Sequence, residues 1–339
     1  MSFFRTRRKS YCGRCRYWLG SAHGCTGTGI EVLIGVRSFP LALIAAASLV
    51  LAPTAVAARQ DPRQMPTFRS SASLVAVTAA VRRPDGSAVT TLTAADFEVL
   101  DNGVPRQITS FFSDAAPASL VVLFDRSGSM RVAGRTEAAR EVARHMMAWL
   151  QPDVDQVALL GFDDAVARLQ AFTPAPGNIL EQIDRVEAFG STSLTDAVAI
   201  AANEVSDKRT RRAVVVLTDG QDTSSRLTPS AVATFAAAID VPVYVLVPQI
   251  GVERATGAGV DAGLVELAQR TGGQVFIVTT PSETSIATRT IASDLHHQYL
   301  LAFESDGKAG WHALEVRVKQ QKQKLIVRAR TGYDAGRTH

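Results

Sequence analysis

Cysteine is almost missing from this 339-residue chain: there are three, Cys12, Cys15 and Cys25, all near the start. Everything after them is without thiol or disulfide, which suits an oxidising compartment. Cys12-x-x-Cys15 with His23 and Cys25 makes four possible ligands, but the spacing fits no common zinc finger. Excess positive charge is also missing from the body. Met1–Ala58 carries seven of the 36 Lys and Arg and one of the 32 Asp and Glu, so the remainder holds 29 bases and 31 acids, a net of −2. That balance excludes a nucleic-acid footprint. There is no G-x-S-x-G elbow, no phosphate loop, no internal repeat and no low-complexity tract. After Ala58 no stretch is long and apolar enough to span a bilayer. The composition that remains, 46% apolar and 20% charged, is that of a globular protein with a sizeable core.

The opening segment reads as a leader. Phe39–Ala52 is almost wholly apolar, Arg37 precedes it, and Ala55-Val56-Ala57 supplies an A-x-A site. These are the parts of a secretory signal peptide, absent from mature protein. Its distance from Met1 is unusual and suggests a start assigned too far upstream, with Val36 as the initiator. An uncleaved anchor is the competing reading, for which Phe39–Ala58 is just long enough. Pro40 and Pro53 bracket it, and small residues dominate. No Cys follows the apolar core, which argues against a lipoprotein. The expected location is therefore secreted, periplasmic or cell-envelope, with no membrane span after cleavage.

At the centre of the chain lies Ser119-Leu120-Val121-Val122-Leu123-Phe124-Asp125-Arg126-Ser127-Gly128-Ser129-Met130. It begins as a continuous apolar run, the pattern of a strand buried on both faces of a parallel sheet. It then breaks into Asp-x-Ser-x-Ser, with oxygen-bearing side chains at i, i+2 and i+4. In a tight loop at a strand's carboxyl end these can face one point. A carboxylate and two hydroxyls suit a hard cation, Mg²⁺ before Zn²⁺. Asp125 alone would read as a turn former or cap.

Two further segments come later in the chain. Thr192 lies in Gly190-Ser191-Thr192-Ser193-Leu194-Thr195-Asp196-Ala197, and Asp219 ends the apolar run that starts at Ala213. Together with Asp125, Ser127 and Ser129 they resemble the metal-ion-dependent adhesion site of the von Willebrand factor type A (VWA) domain. The resemblance implies that Ser127, Ser129 and Thr192 coordinate the metal directly, while Asp125 and Asp219 act through water. It also implies Mg²⁺, with Mn²⁺ as an alternative, and a partner protein whose Glu or Asp replaces a bound water. Ala95-Asp96-Phe97-Glu98-Val99-Leu100-Asp101-Asn102-Gly103, Gln298-Tyr299-Leu300-Leu301 and Arg328-Ala329-Arg330-Thr331-Gly332-Tyr333 extend the likeness to a family of secreted bacterial VWA-related proteins.

The expected fold class is α/β: a Rossmann-like VWA domain plus a small β-sandwich-like domain from the flanking segments. Its sheet is mainly parallel with one antiparallel edge strand, and helices cover both faces. The expected divisions are a leader at 1–58, a linker at 59–70, the first part of the β domain at 71–116, the VWA domain at 117–297, the second part at 298–333 and a tail at 334–339. Phe97–Leu100 and Gln107–Phe112 read as a hairpin around Asp101-Asn102-Gly103. Asp163-Asp164 reads as a solvated hairpin turn. Gly257-Ala258-Gly259-Val260-Asp261-Ala262 matches G-x-G-x-x-A, but it does not directly follow a strand. His296 and His297 are adjacent on a helix and point about 100° apart, so they cannot easily share a metal.

The sequence therefore points to a Mg²⁺-dependent protein-binding module. An envelope-tethered assembly or chaperone-like factor, docking a partner complex through the VWA unit, is the alternative. A metal hydrolase would need a base beside an activated water. None of the six histidines lies in an expected site loop, and only Asp163, Asp164 and Asp222 remain as spare acids. The chain is accordingly not expected to be an enzyme.

Overall fold

A computed structural model describes residues 74–249, 259–319 and 324–336. The chain divides into Met1–Met65 and Pro66–His339, and all described residues belong to the second unit. The leader, its cysteine–histidine set, the linker at 59–70, and Gly257 and Ala258 of the glycine pattern lie outside the described residues.

The central sheet has six strands: β5 (Ala118–Asp125), β6 (Gln156–Phe162), β7 (Val166–Thr173), β8 (Arg211–Leu217), β9 (Val243–Pro248) and β10 (Val275–Val278). Their spatial order is β10-β9-β8-β5-β6-β7. All neighbours are parallel except β6 and β7, so β7 is the antiparallel edge. Every residue of β5 is buried, because both faces are covered. Leu120, Val122 and Phe124 pack toward α1 (Arg135–Met147), α2 (Pro176–Asp184) and α6 (Pro281–His296). Val121 and Leu123 pack toward α3 (Leu194–Ser206), α4 (Pro229–Ala238) and α5 (Ala262–Arg270). Side chains alternate across a strand, so a continuous apolar run serves two helix layers. The helices end where their chemistry stops them. Thr228 caps α4 ahead of Pro229, and Gly272, at φ +87, follows α5.

The fold class is as expected, including the small β domain. One four-stranded sheet runs β13-β1-β11-β4 and the other β14-β12-β2-β3. These are β1 (Leu74–Arg82), β2 (Phe97–Asp101), β3 (Val104–Arg106) and β4 (Ile108–Phe112) from before the central sheet. From after it come β11 (Tyr299–Glu304), β12 (Trp311–Val318), β13 (Ile326–Ala329) and β14 (Gly332–Asp334). Each sheet thus mixes strands from both ends of the described chain. Val75, Val77, Phe97, Val99, Tyr299, Phe303, Leu314 and Val316 share its core.

One local expectation is corrected. The turn at Asn102-Gly103 joins β2 to β3, with Asp101 opposite Val104, and not to the strand at Ile108–Phe112. Both turn residues have positive φ, +51 and +78, as a two-residue hairpin of this hand requires. The strand at Ile108–Phe112 crosses to the other sheet and pairs with β11. β14, unanticipated, pairs with β12.

Candidate metal centre

Asp125 ends β5, and Asp219 lies two residues beyond the end of β8. The chain leaves β5 for β6 on one side and later returns to β8 on the other. The carboxyl ends of β5 and β8 therefore flank the topological switch point, where open α/β sheets bind ligands.

Hydrogen bonds shape the loop after β5. Asp125 Oδ1 accepts from the Ser127 amide at 2.8 Å, and Oδ2 accepts from the Thr218 hydroxyl at 2.6 Å. The Ser127 and Ser129 hydroxyls lie 2.9 Å apart. Burial pushes the Asp125 carboxyl up to about 6, and the nearby Asp219 carboxylate adds to the rise. The Arg135 guanidinium spans the other side, with Nη1 3.1 Å from both the Ser129 carbonyl and Asp219 Oδ2.

Thr192 approaches on its own loop. The Gly128 amide donates to the Gly190 carbonyl at 2.9 Å, which ties the two loops together. Gly190 has φ +76, a conformation open to glycine at little cost. Behind it, the Thr192 carbonyl accepts from the Thr223 and Ser224 amides, and the Ser193 amide donates to the Asp163 carbonyl. Thr192, Asp125 and Ser127 are buried, while Ser129 and Asp219 are partly exposed. Three of the ligand candidates therefore lie beneath the rim, and Ser129 and Asp219 reach it.

The donor set fits a hard divalent cation: two carboxylates and three hydroxyls, with no sulfur or imidazole among them. Two of the three acids considered as spare bases, Asp163 and Asp222, are already engaged. Asp163 pairs with Arg126 at 2.6 Å. Burial alone would raise its carboxyl, but the Ala165 amide and Arg126 outweigh it and hold it below the usual range. The reading of Asp163 as a solvated turn residue is corrected accordingly; Asp164 is exposed. Asp222 accepts from the Thr195 amide and hydroxyl and from the Ser225 amide. These bonds overcome the effect of burial and hold Asp222 low. It clamps the Thr192 loop to the loop after β8.

Three participants escaped the sequence reading. Thr218 could have been found, because it directly precedes Asp219. Arg135 and the Asp222–Thr195 clamp carry no local signal. A separate cluster, Asp101, Asp306 and His312, brings three ligand atoms within 4.8 Å of one another. Arg106 reaches Asp101 at 2.9 Å and Asp306 at 3.5 Å, so a guanidinium already supplies the positive charge there. His296, the last residue of α6, pairs with Asp155 at 2.8 Å, and His297 follows as the residue that ends the helix.

Residues 120–221 match the von Willebrand factor type A domain family. No curated protein matches the chain. Solved structures with a similar fold include BatB from Bacteroides thetaiotaomicron, at 17% identity and TM-score 0.43, over 52% of this chain and 98% of that one. A von Willebrand factor type A protein from Catenulispora acidiphila is 15% identical, with TM-score 0.45, over 78% of this chain and 75% of that one. Proximal thread matrix protein 1 from the mussel byssus, with a zinc-occupied MIDAS motif, is 18% identical, with TM-score 0.45, over 57% of this chain and 49% of that one. The segment from Leu120 to Gln221, which carries both strand ends and the loop between them, is the part of the chain that matches the von Willebrand factor type A domain family.

Proposed function

We propose that this chain is a secreted or envelope-located, Mg²⁺-dependent protein-binding module whose metal site takes a Glu or Asp side chain from a partner. The observation that carries this reading is the pair of Ser127 and Ser129 hydroxyls, 2.9 Å apart in the loop that follows Asp125 at the switch point. Ser127, Ser129 and Thr192 would hold the ion, with Asp125 and Asp219 supporting. The ion supplies positive charge with exchangeable water positions that a carboxylate can enter. Asp125 spends its oxygens on the Ser127 amide and Thr218 hydroxyl, and so fixes the loop. Val132 and Phe189 are exposed in the loops that carry Ser129 and Thr192, and Arg131 lies 5.6 Å from the Phe189 ring. Apolar surface beside cations suits an acidic partner segment.

Binding is favoured over hydrolysis because Asp163 and Asp222 are committed to hydrogen bonds that stabilise their ionised forms. A general base needs a free lone pair directed at its proton. Export is supported by the apolar core and A-x-A site of the leader. Among the described residues, no helix is long and apolar enough to cross a membrane.

The test is calorimetric titration of Mg²⁺ into wild type, Ser129→Ala and Thr192→Ala. Each variant loses a neutral hydroxyl, so circular dichroism should show the fold intact while affinity drops at least about 10-fold. Wild-type affinity in both variants would refute the assignment.

A further inference from the structure

We infer that Arg135 is a built-in counter-cation of the metal centre, and that a bound divalent ion must compete with it for Asp219. This rests on the metal reading above. Arg135 is the first residue of α1. A cation is disfavoured there, because the helix N-terminus already carries partial positive charge. Its position is instead set by acceptors outside the helix. Nη1 lies 3.1 Å from the Ser129 carbonyl and 3.1 Å from Asp219 Oδ2. The entry to α1 makes this reach possible: Ala133 and Gly134 both have positive φ, +53 and +81, and turn the chain sharply before the helix begins.

The consequence is electrostatic. Asp125 and Asp219 would together attract a divalent ion, but the Arg135 guanidinium beside Asp219 offsets part of their charge. The guanidinium also touches both ends of the donor set, since Ser129 belongs to the loop after β5 and Asp219 to the end of β8. An ion drawn to these oxygens meets a like charge a few ångströms away in a partly buried site, where water screens it poorly. Loading the site thus requires Arg135 to loosen its hold on Asp219. Arg135 lowers metal affinity in the resting protein while it stabilises the metal-free loops.

The full mature chain tests this. Mg²⁺ is titrated calorimetrically into wild type, Arg135→Gln, Arg135→Lys and Ser129→Ala, and thermal unfolding is followed with and without Mg²⁺. Arg135→Gln should bind Mg²⁺ about tenfold more tightly than wild type, equivalent to about 1.4 kcal/mol. Its melting temperature should fall below wild type without Mg²⁺ and recover in saturating Mg²⁺. Arg135→Lys keeps the charge and should stay near wild-type affinity. Unchanged or weaker binding by Arg135→Gln, with Ser129→Ala still impaired, overturns the role of Arg135 and leaves the metal centre standing. Absence of Mg²⁺ binding in wild type and both Arg135 variants overturns the metal reading, and this inference with it.

Discussion

His312 is buried in the β domain with acceptors at both ring nitrogens: Nδ1 lies 2.7 Å from Asp101 Oδ1 and Nε2 2.9 Å from the Lys308 carbonyl. A neutral imidazole has one N–H, so two acceptors favour the charged ring. Burial alone would lower its pKa, but Asp101 and the Lys308 carbonyl outweigh that and hold it above 6.5. Because the folded value is raised, the stabilisation is complete below 6.5 and is lost as pH rises through the folded value. The melting temperature of wild type should therefore decline on going from mildly acidic to alkaline buffer. His312→Gln should flatten that decline and cost about 1–3 kcal/mol at low pH, because buried Asp101 loses one of its two charged partners and keeps only Arg106. Equal pH slopes for the two proteins would refute it. Nothing in the sequence near His312 signals this role, since Asp101 is 211 positions away. Asp125, Ser127, Ser129 and Asp219 were legible because each ends or follows an apolar strand run, and Thr192 because it sits in a Gly-Ser-Thr-Ser loop ahead of a helix, whereas Arg135 acquires its part only through contact with a loop 84 positions on.

At the scale of elements, the apolar runs that end at Asp125 and begin at Ala213 located two central strands of the sheet. The hairpin after Phe97 shows where such reading stops. Two candidate partner strands lay in sequence, and turn chemistry specified only that the chain reverses at Asn102-Gly103. The two-residue loop selects Val104, and β4 is drawn away because β11 offers it a free edge. A second element-level dependence is the Gly272-Gly273 junction between α5 and β10. A Cβ on Gly273 would lie 1.9 Å from the Val243 carbonyl oxygen, a backbone atom that cannot move aside. Gly273→Ala should therefore destabilise the protein by about 3 kcal/mol or more, read by denaturant unfolding. A wild-type midpoint would show that β9 and the junction are not so closely packed. Gly177→Ala, where no atom lies within 4 Å, is the control.

Across the whole molecule, the flanking segments depend on each other. β1 lies between β11 and β13, and β4 pairs with β11, so removal of Gln298–His339 would strip both of their partners. Half a sandwich of this size cannot bury enough apolar surface to stand alone. Limited proteolysis of the truncated chain should cut rapidly within 74–112, while the central sheet stays protected. Equal protection in both proteins would refute the shared core. The β domain is also joined to the central one by a buried ion pair. Arg82 lies 2.5 Å from Asp294 on α6, whose carboxylate also accepts from Tyr244 of β9 at 3.2 Å. Arg82→Ala should cost about 3–5 kcal/mol, since it leaves a buried carboxylate without its cation. Chemical denaturation measures the loss, and an unchanged midpoint would refute it.

Local order along the chain was enough to set the double-faced burial of β5 and the loops that break its apolar run. It was also enough to set the oxygen chemistry of Asp125, Ser127, Ser129, Thr192 and Asp219. These are properties of neighbouring residues, governed by side-chain alternation and by the reach of short loops. Tertiary structure decided the relations between distant segments. The order β8-β5-β6 put two strand ends at one switch point. Pairing of β1 and β4 with β11 closed the second core. The turn before α1 carried Arg135 onto Asp219. The physical reason is that local preferences constrain a few residues at a time. Strand order and charge pairing are instead selected by the burial and hydrogen bonding of the complete chain.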